Sequence, residues 1–118
     1  TQQTYYRYCA KIDSHFFADQ PVSKLCDELG KMLCITVERP YVPINKSVLY
    51  HPRTLKNFYW SNEYVNQIDK SSEEYPVANL ASSNEGFIFH HSILLGSRED
   101  MNEIINAVER VQRNAKKL

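Results

Sequence analysis

The segment between residues 40 and 52 joins a rigid backbone to side chains that form hydrogen bonds. Three prolines restrict its backbone, and it carries hydroxyl, amide and ammonium groups on Tyr41, Asn45, Lys46 and Tyr50. A sugar or polyol site needs this combination, because each ligand hydroxyl must find a partner in a fixed position. The segment is therefore the best candidate for a binding site. The alternative is that the prolines brace a loop over the core and the tyrosines only pack there.

Two adjacent histidines, His90 and His91, are the second feature with chemical potential, since imidazole is the usual acid–base and metal-binding side chain. They lie in the hydrophobic segment 86–95, which is typical of a strand. Neighbouring residues on a strand point to opposite faces, so we predict that the pair does not share a metal ion. One histidine is then expected in the core with a satisfied hydrogen bond, and the other at a surface or interface. A direct chemical role for either one is the alternative.

The remaining reactive side chains indicate no catalytic residue and no metal site. The paired carboxylates of residues 73–74 and 99–100 fall in a polar linker and at a helix start, where solvation and the helix dipole explain them. Three cysteines lack C-x-x-C spacing, and Cys26 falls on an apolar stripe, so we expect a buried structural thiol and a reducing, cytoplasmic location. A metal-dependent enzyme built on the four histidines is a remote third reading, because none is spaced as a ligand pair.

The hydrophobic pattern predicts the elements that position these residues. Alternation over residues 4–12 indicates a strand, and a short apolar run over residues 33–37 indicates a second. A helix is predicted to begin near Pro21 and to end at Gly30, with a stripe of Val22, Leu25, Cys26 and Leu29. Residues 39–57 have no period of 2 or 3.6 and form an ordered loop, of a length that is often functional.

The second half of the chain adds two short helices, a strand and a long helix. The short helices are expected after Ser61 and from Pro76, and the strand over residues 86–95. Ser97 and Asp100 have the spacing of a capping box. The final helix presents an apolar stripe of Met101, Ile104, Ile105, Val108 and Val111. This order predicts an α+β fold, with a small mixed or antiparallel sheet of about three strands covered by helices on one face.

Composition limits the classes of protein that the chain can represent. Its 118 residues fit one domain, and 42% are hydrophobic. Fourteen basic residues balance 14 acidic ones, which argues against a nucleic-acid-binding protein. No apolar run approaches the roughly 20 residues that span a membrane. The first ten residues do not have the pattern of a signal peptide. The first residue is Thr1 rather than Met, so we expect that the chain is cut from something longer.

Three segments resemble the C-terminal small domain of a known enzyme family. They are the opening TYYRY at residues 4–8, YVPIN at 41–45 running on to Leu49 and Tyr50, and the stretch from YPVA at 75–78 through FHHSILLG at 89–96 to Ile104. Their order and spacing are similar to the DegT/DnrJ/EryC1/StrS family of sugar aminotransferases, which use pyridoxal phosphate. The pattern is most similar to the branch that aminates scyllo-inosose-type cyclitols.

The resemblance implies the small domain of a fold-type I enzyme. In that family a large N-terminal domain supplies the Schiff-base lysine and most cofactor contacts, and the small domain closes the active site and helps form the homodimer. Asn45 occupies the position where many members carry a histidine near the substrate. The resemblance thus implies substrate-side roles for Tyr41, Asn45, Lys46 and Tyr50, and a place at the active-site rim for His90 and His91.

No lysine lies in the family's Schiff-base context, so we expect no cofactor on this chain alone and no transamination by it. The resulting interpretation is a C-terminal portion of a pyridoxal-phosphate sugar or cyclitol aminotransferase. It would contribute contacts to a keto-sugar or cyclitol and to a dimer partner. The alternative is a non-catalytic α+β module that binds a ligand or protein. Such a module should fold the 39–57 loop onto its own core, whereas a portion of a larger enzyme should leave that loop projecting.

Overall fold

The sheet of the computed structural model, which describes residues 4–54 and 59–118, is antiparallel. Within those residues it has three strands in the order β1–β3–β2, where β1 is Arg7–Lys11, β2 is Val37–Glu38 and β3 is Gly86–His90. The prediction of a mixed or antiparallel sheet of about three strands is confirmed. The bounds predicted for β1 and β3 were too wide. The second strand was misplaced: it shares only Val37 with the predicted run 33–37 and continues to Glu38, because Leu33 still belongs to the preceding helix.

The two faces of the sheet have different environments. Ala10 lies opposite Phe87 and Val37 lies opposite Phe89, so these four side chains share one face. Both phenylalanines are buried in the main core on that face. The other face carries Arg7 and Cys9 of β1 and Ile88 of β3, together with the first and last residues of β3. The sheet therefore has one face committed to the core and one face that meets the loop segment.

Two helices cover the core face. They are α1, Val22–Leu33, and α4, Arg98–Asn114. The helix α1 packs on β2, on β3 and against α4, and α4 contributes buried side chains to the same core. The four predicted stripe residues of α1 are all buried. On α4 the most buried residues are Ala107 and Val111, whereas Ile105 is 56% exposed. The stripe predicted for α4 was thus slightly rotated, but the α+β class with helices on one face is confirmed.

Gly30 does not end α1, which corrects the prediction from sequence. The helix continues to Leu33, and Cys34 takes the left-handed conformation at φ 53° with its N–H bonded to the Gly30 carbonyl. A Cβ atom at Gly30 would lie only 2.9 Å from the Ile35 carbonyl oxygen. The glycine is therefore used for close approach of the returning chain, not for its conformational freedom.

The capping box of α4 is confirmed. The Ser97 hydroxyl accepts the Asp100 N–H at 3.2 Å, and the Asp100 carboxylate accepts the Ser97 N–H at 2.7 Å. The short helices are also confirmed, as α2, Asn62–Ile68, with Ser61 as its N-cap, and α3, Pro76–Leu80. A π turn, Ala81–Glu85, leads from α3 into β3.

The segment between β2 and β3 extends away from the sheet. The described chain measures 56 × 34 × 25 Å, with a radius of gyration of 18.6 Å. A compact chain of this length is expected near about 13.5 Å. Large apolar side chains in this segment are open to solvent, among them Ile44 at 76%, Val48 at 80% and Leu49 at 89% exposed. The described part of the loop, residues 39–54, thus projects rather than folding onto the core, and residues 55–57 of the predicted loop lie outside the described residues.

Candidate functional site

Asn45 is the buried polar side chain of the projecting segment. It follows Pro43 at the start of a 3₁₀ turn, Ile44–Lys46, and only 5% of it is exposed. Its side-chain amide donates a hydrogen bond to the Glu73 carbonyl oxygen at 2.9 Å. A buried amide needs such a partner, and the bond also fixes the direction of the amide oxygen. The loop therefore holds Asn45 in a single, defined position.

Tyr50 and Lys46 tie the same loop to the segment that follows α2. The Tyr50 hydroxyl donates to the Ile68 carbonyl and accepts the Lys70 N–H at 3.2 Å. The Lys46 ammonium contacts both carboxylate oxygens of Glu74, at 3.1 and 3.2 Å. Arg53 makes a further tie through an ion pair with Asp69 at 2.5 Å. Four residues of the loop thus position it against residues 68–74.

A cavity of about 330 Å³ opens between these two segments. Asn45 and Tyr50 line it, together with Lys70, Tyr75, Pro43, Ile44 and Ala78. Its wall is mostly apolar with a few polar groups, which is the usual composition of a small-molecule site. The structure therefore brings two of the four predicted substrate-side residues into one cavity, with Lys46 on the adjoining part of the loop.

Lys70 and Tyr75 were not predicted from the sequence. Both bind the Glu73 carboxylate, Lys70 through its ammonium at 2.6 Å and Tyr75 through its hydroxyl at 2.5 Å. The Lys70 hydrogen bond lowers the pKa of Glu73, and the Tyr75 bond adds to this; Glu73 in turn raises the pKa of Lys70 and of Tyr75. A short polar linker without periodicity gave no signal for this network.

Tyr41 lies apart from the cavity that holds Asn45. It is 68% exposed, and its ring lies 5.6 Å from the Arg7 guanidinium. Tyr41 lines a second cavity of about 380 Å³ on the other face of the sheet, and Pro43 and Ala78 contribute to the walls of both cavities. Three of the four predicted substrate-side residues thus line two neighbouring cavities, Asn45 and Tyr50 in one and Tyr41 in the other, and Lys46 lines neither.

The histidine pair departs from the prediction. Because β3 ends at His90 and a 3₁₀ turn, His91–Leu95, begins directly after it, the two rings do not point to opposite faces. Their centroids lie 4.2 Å apart. His90 bonds the Ser92 hydroxyl at 2.8 Å, and His91 bonds the Tyr6 carbonyl at 2.9 Å. His90 is exposed and His91 half-buried, so the expectation that one histidine enters the core was wrong.

In residues 4–54 and 59–118 no group of three or more His, Cys, Asp or Glu side chains could hold a metal ion. Cys26 is buried as predicted, and burial raises the pKa of its thiol. Every lysine that the structure describes is exposed. A Schiff-base lysine needs a desolvated, charge-tuned pocket, so these lysines do not fit pyridoxal phosphate on their own.

No helix in the described part of the chain is long and apolar enough to cross a membrane.

Sequence comparison connects this geometry to known proteins. The chain is 30% identical over 114 residues to the L-glutamine:2-deoxy-scyllo-inosose aminotransferase of Streptoalloteichus tenebrarius, which covers 97% of this chain and 27% of that protein. The protein of the same name from Streptomyces fradiae gives the same identity and coverage. The L-glutamine:scyllo-inosose aminotransferase of Streptomyces griseus is 26% identical over 119 residues, 100% of this chain and 28% of that protein.

The chain spans about a quarter of the length of the curated relatives that it matches. No protein-family model matches it. The resemblance seen in the sequence is nonetheless confirmed by similarity over nearly the whole chain. The chain is similar to scyllo-inosose aminotransferases over nearly its whole length, which is consistent with a C-terminal portion of such an enzyme.

Proposed function

We propose that the chain is the C-terminal portion of a pyridoxal-phosphate-dependent sugar or cyclitol aminotransferase. In the complete enzyme it contributes side chains to the substrate side of the active site and surface to a homodimer. The substrate is a keto-sugar or cyclitol, the class that the names of the relatives give. Asn45, Tyr50, Lys46 and Tyr41 are the proposed substrate-side residues, and His90 and His91 are placed at the rim. We also place the enzyme in the cytoplasm.

The projecting segment is the observation that carries this proposal. A self-contained binding module is expected to bury the apolar side chains of its own loops, because each buried leucine or valine stabilises the fold by about 1.5–3 kcal/mol. Here Ile44, Val48 and Leu49 are left almost fully open to solvent. Apolar surface of this extent is typical of an interface that another domain or subunit covers. The extended loop therefore favours a portion of a larger enzyme over an independent module.

Because the described lysines are exposed, we infer that another part of the complete enzyme supplies the cofactor site. Pyridoxal phosphate supplies the electron sink for amino transfer when it is bound. The pKa values of Lys31 and Lys70 are raised by their bonds to Glu28 and Glu73, which is opposite to the shift that activates a lysine amine. This chain's own residues are instead suited to bind hydroxyl groups and to orient a ring beside the catalytic centre.

The first test is the size of the native gene product. An antibody against this domain and intact mass spectrometry should detect a polypeptide several times heavier than 13.8 kDa. That polypeptide should bind pyridoxal phosphate and transfer the amino group of L-glutamine to a keto-cyclitol. A native product of 13.8 kDa, or a longer product that binds no pyridoxal phosphate, would overturn the proposal. The isolated 118-residue chain should self-associate, which sedimentation velocity measures.

A further inference from the structure

The loop cavity is the cavity of about 330 Å³ between the proline-containing loop and residues 68–74. Its polar wall residues are Asn45, Tyr50, Lys70 and Tyr75, and Glu73 contacts all of them except Tyr50. Its carbonyl oxygen accepts the Asn45 amide at 2.9 Å. Its carboxylate accepts the Lys70 ammonium on one oxygen at 2.6 Å and the Tyr75 hydroxyl on the other at 2.5 Å. Glu73 itself is not part of the cavity wall. One exposed residue outside the wall therefore contacts three residues in it.

Each of the three contacts limits what its partner can do. The Asn45 amide donates to the carbonyl, which leaves its oxygen as an acceptor in a fixed direction. Lys70 and Tyr75 lie on a linker without regular structure, where their long side chains would otherwise sample several rotamers. The shared carboxylate holds both, and bonds to an ionised acceptor are about twice as strong as neutral ones. The cavity thus has an ordered arrangement of donors and acceptors before any ligand enters.

The chemistry of this wall fits an uncharged ring with many hydroxyl groups. A hydroxyl both donates and accepts, so it is best satisfied where donors and acceptors alternate. The Lys70 ammonium is the donor, since Glu73 uses only one of its three N–H groups. The Asn45 amide oxygen and the Tyr75 hydroxyl oxygen are acceptors, because the Tyr75 O–H already donates to Glu73. Tyr50, Pro43 and Ala78 give apolar surface against which the C–H faces of a ring can pack.

We propose that Glu73 is the positioning residue of a polyol-ring pocket in which Lys70, Tyr75 and Asn45 make the ligand contacts. This inference rests on the proposed function for its ligand class. It adds Lys70 and Tyr75 as ligand-binding residues and Glu73 as a positioning residue. All three belong to the linker after α2, whose acidic pair at residues 73–74 the sequence alone indicates to be merely solvated. It also makes the linker, and not only the proline-containing loop, responsible for which ring is accepted.

The test uses the native-length polypeptide and scyllo-inositol, a ring with a hydroxyl on every carbon. Its Kd is measured by titration calorimetry for wild type, Glu73→Gln, Tyr75→Phe and the double variant. Glu73→Gln should weaken binding roughly two- to fivefold, because it loses the ionic component of two bonds that are about half exposed to solvent. The double variant should lose less affinity than the sum of the two single losses, since Glu73 acts partly through that hydroxyl and partly through Lys70.

Glu28→Gln is the matched control. Glu28 binds Lys31 three residues away at 2.6 Å, the same spacing and distance as Glu73 and Lys70, but on α1 outside the cavity. It should leave the Kd unchanged, and thermal unfolding should show that each variant is folded. If Glu73 had a purely structural role, the Glu73→Gln variant would have a lower melting temperature, and its loss of binding free energy would simply add to that of Tyr75→Phe. Binding by Glu73→Gln equal to wild type, or additive losses in the double variant, overturns the inference.

The outcomes separate this inference from the proposed function. If the native product transfers amino groups but scyllo-inositol binding does not depend on Glu73, the inference fails and the proposed function stands. If the native product has no transaminase activity but binds the ring in a Glu73-dependent way, the proposed function fails and the pocket stands. Absence of any scyllo-inositol binding to the wild-type polypeptide also overturns the inference.

Discussion

Gly86 is the residue whose substitution tests most directly how the sheet and the loop fit together. It begins β3 and is buried where the chain returns from the π turn. A Cβ atom at this position would lie 2.6 Å from the Ala81 carbonyl oxygen and 3.1 Å from Pro40 Cδ, and closer still to Pro40 Cγ. Pro40 leads directly into the loop that carries Tyr41 and Asn45. Added volume at Gly86 therefore presses on the base of the projecting segment.

The magnitude follows from two opposed effects. Glycine in a strand is less favourable than alanine by roughly 0.5–1 kcal/mol, so Gly86→Ala would stabilise the fold if space were free. Overpacking a filled site costs about 1–3 kcal/mol, and one of the atoms met here is backbone that cannot rotate away. We expect a net loss of about 1–2 kcal/mol in the free energy of unfolding. This corresponds to a melting temperature lower by roughly 3–10 °C.

Urea unfolding followed by circular dichroism measures this loss. The decisive comparison is Gly86→Ala in a Pro40→Ala background, which removes two of the three close atoms. The double variant should lose about 0.5–1 kcal/mol less free energy of unfolding than the sum of the losses in the two single variants. Pro52→Ala, a proline of the same segment that is not among the neighbours of Gly86, should add without coupling. A Gly86→Ala variant as stable as wild type, or equal coupling to both prolines, would refute the packing argument.

Two further predictions concern hydrogen bonds at chain turns. Ser97→Ala should lower the free energy of unfolding by about 0.5–2 kcal/mol, because the Asp100 N–H loses its cap. The control, Ser23→Ala at an exposed serine, should be near neutral. Equal losses of stability for the two variants in urea unfolding would contradict the role of the cap. The Ser71 hydroxyl and N–H lower the pKa of Asp69 below its ordinary 3.8, with Arg53 adding to the shift. Ser71→Ala should therefore raise that pKa. In the wild-type protein the ionised Asp69 stabilises the fold fully above pH 3.8, and this stabilisation is lost as the pH falls through the lowered pKa. The variant has a smaller pKa shift, so it should lose less stability over the same pH range. Carboxyl ¹³C titration by NMR checks this, and an unchanged Asp69 pKa would rule it out.

The helices were predictable because their signals are local and redundant. Val22, Leu25, Cys26 and Leu29 recur with helical spacing, and all are buried in α1. The Ser97 cap of α4 likewise depends on residues three positions apart. Gly30 was interpreted wrongly because sequence alone does not tell a helix-ending glycine from one that allows close approach by another segment. That second use depends on Ile35, which the fold returns to the helix.

The strand ends and the histidine pair show a different limit. The run from residue 86 to residue 95 is apolar on both sides of His90, His91 and Ser92, and hydrophobicity does not distinguish a strand from a 3₁₀ turn. The ladder ends where its partner strand ends: His90 is paired with Arg7, the first residue of β1. Register therefore decided the orientation of His91, and register is set by long-range pairing. For the same reason a face assignment from alternation alone holds only inside a ladder.

The candidate site was only half predictable, because two segments build it and one of them has no pattern. The loop was recognised from its prolines and polar groups. Its partner, the linker after α2, meets it in the opposite direction, so that Tyr50 contacts residues 68 and 70 while Asn45 contacts residue 73. These contacts join side chains to backbone rather than forming a β-ladder, and they leave no period of 2 in either segment. It follows that substitutions in the linker should alter ligand selection as strongly as those in the loop, although only the loop is conspicuous in the sequence.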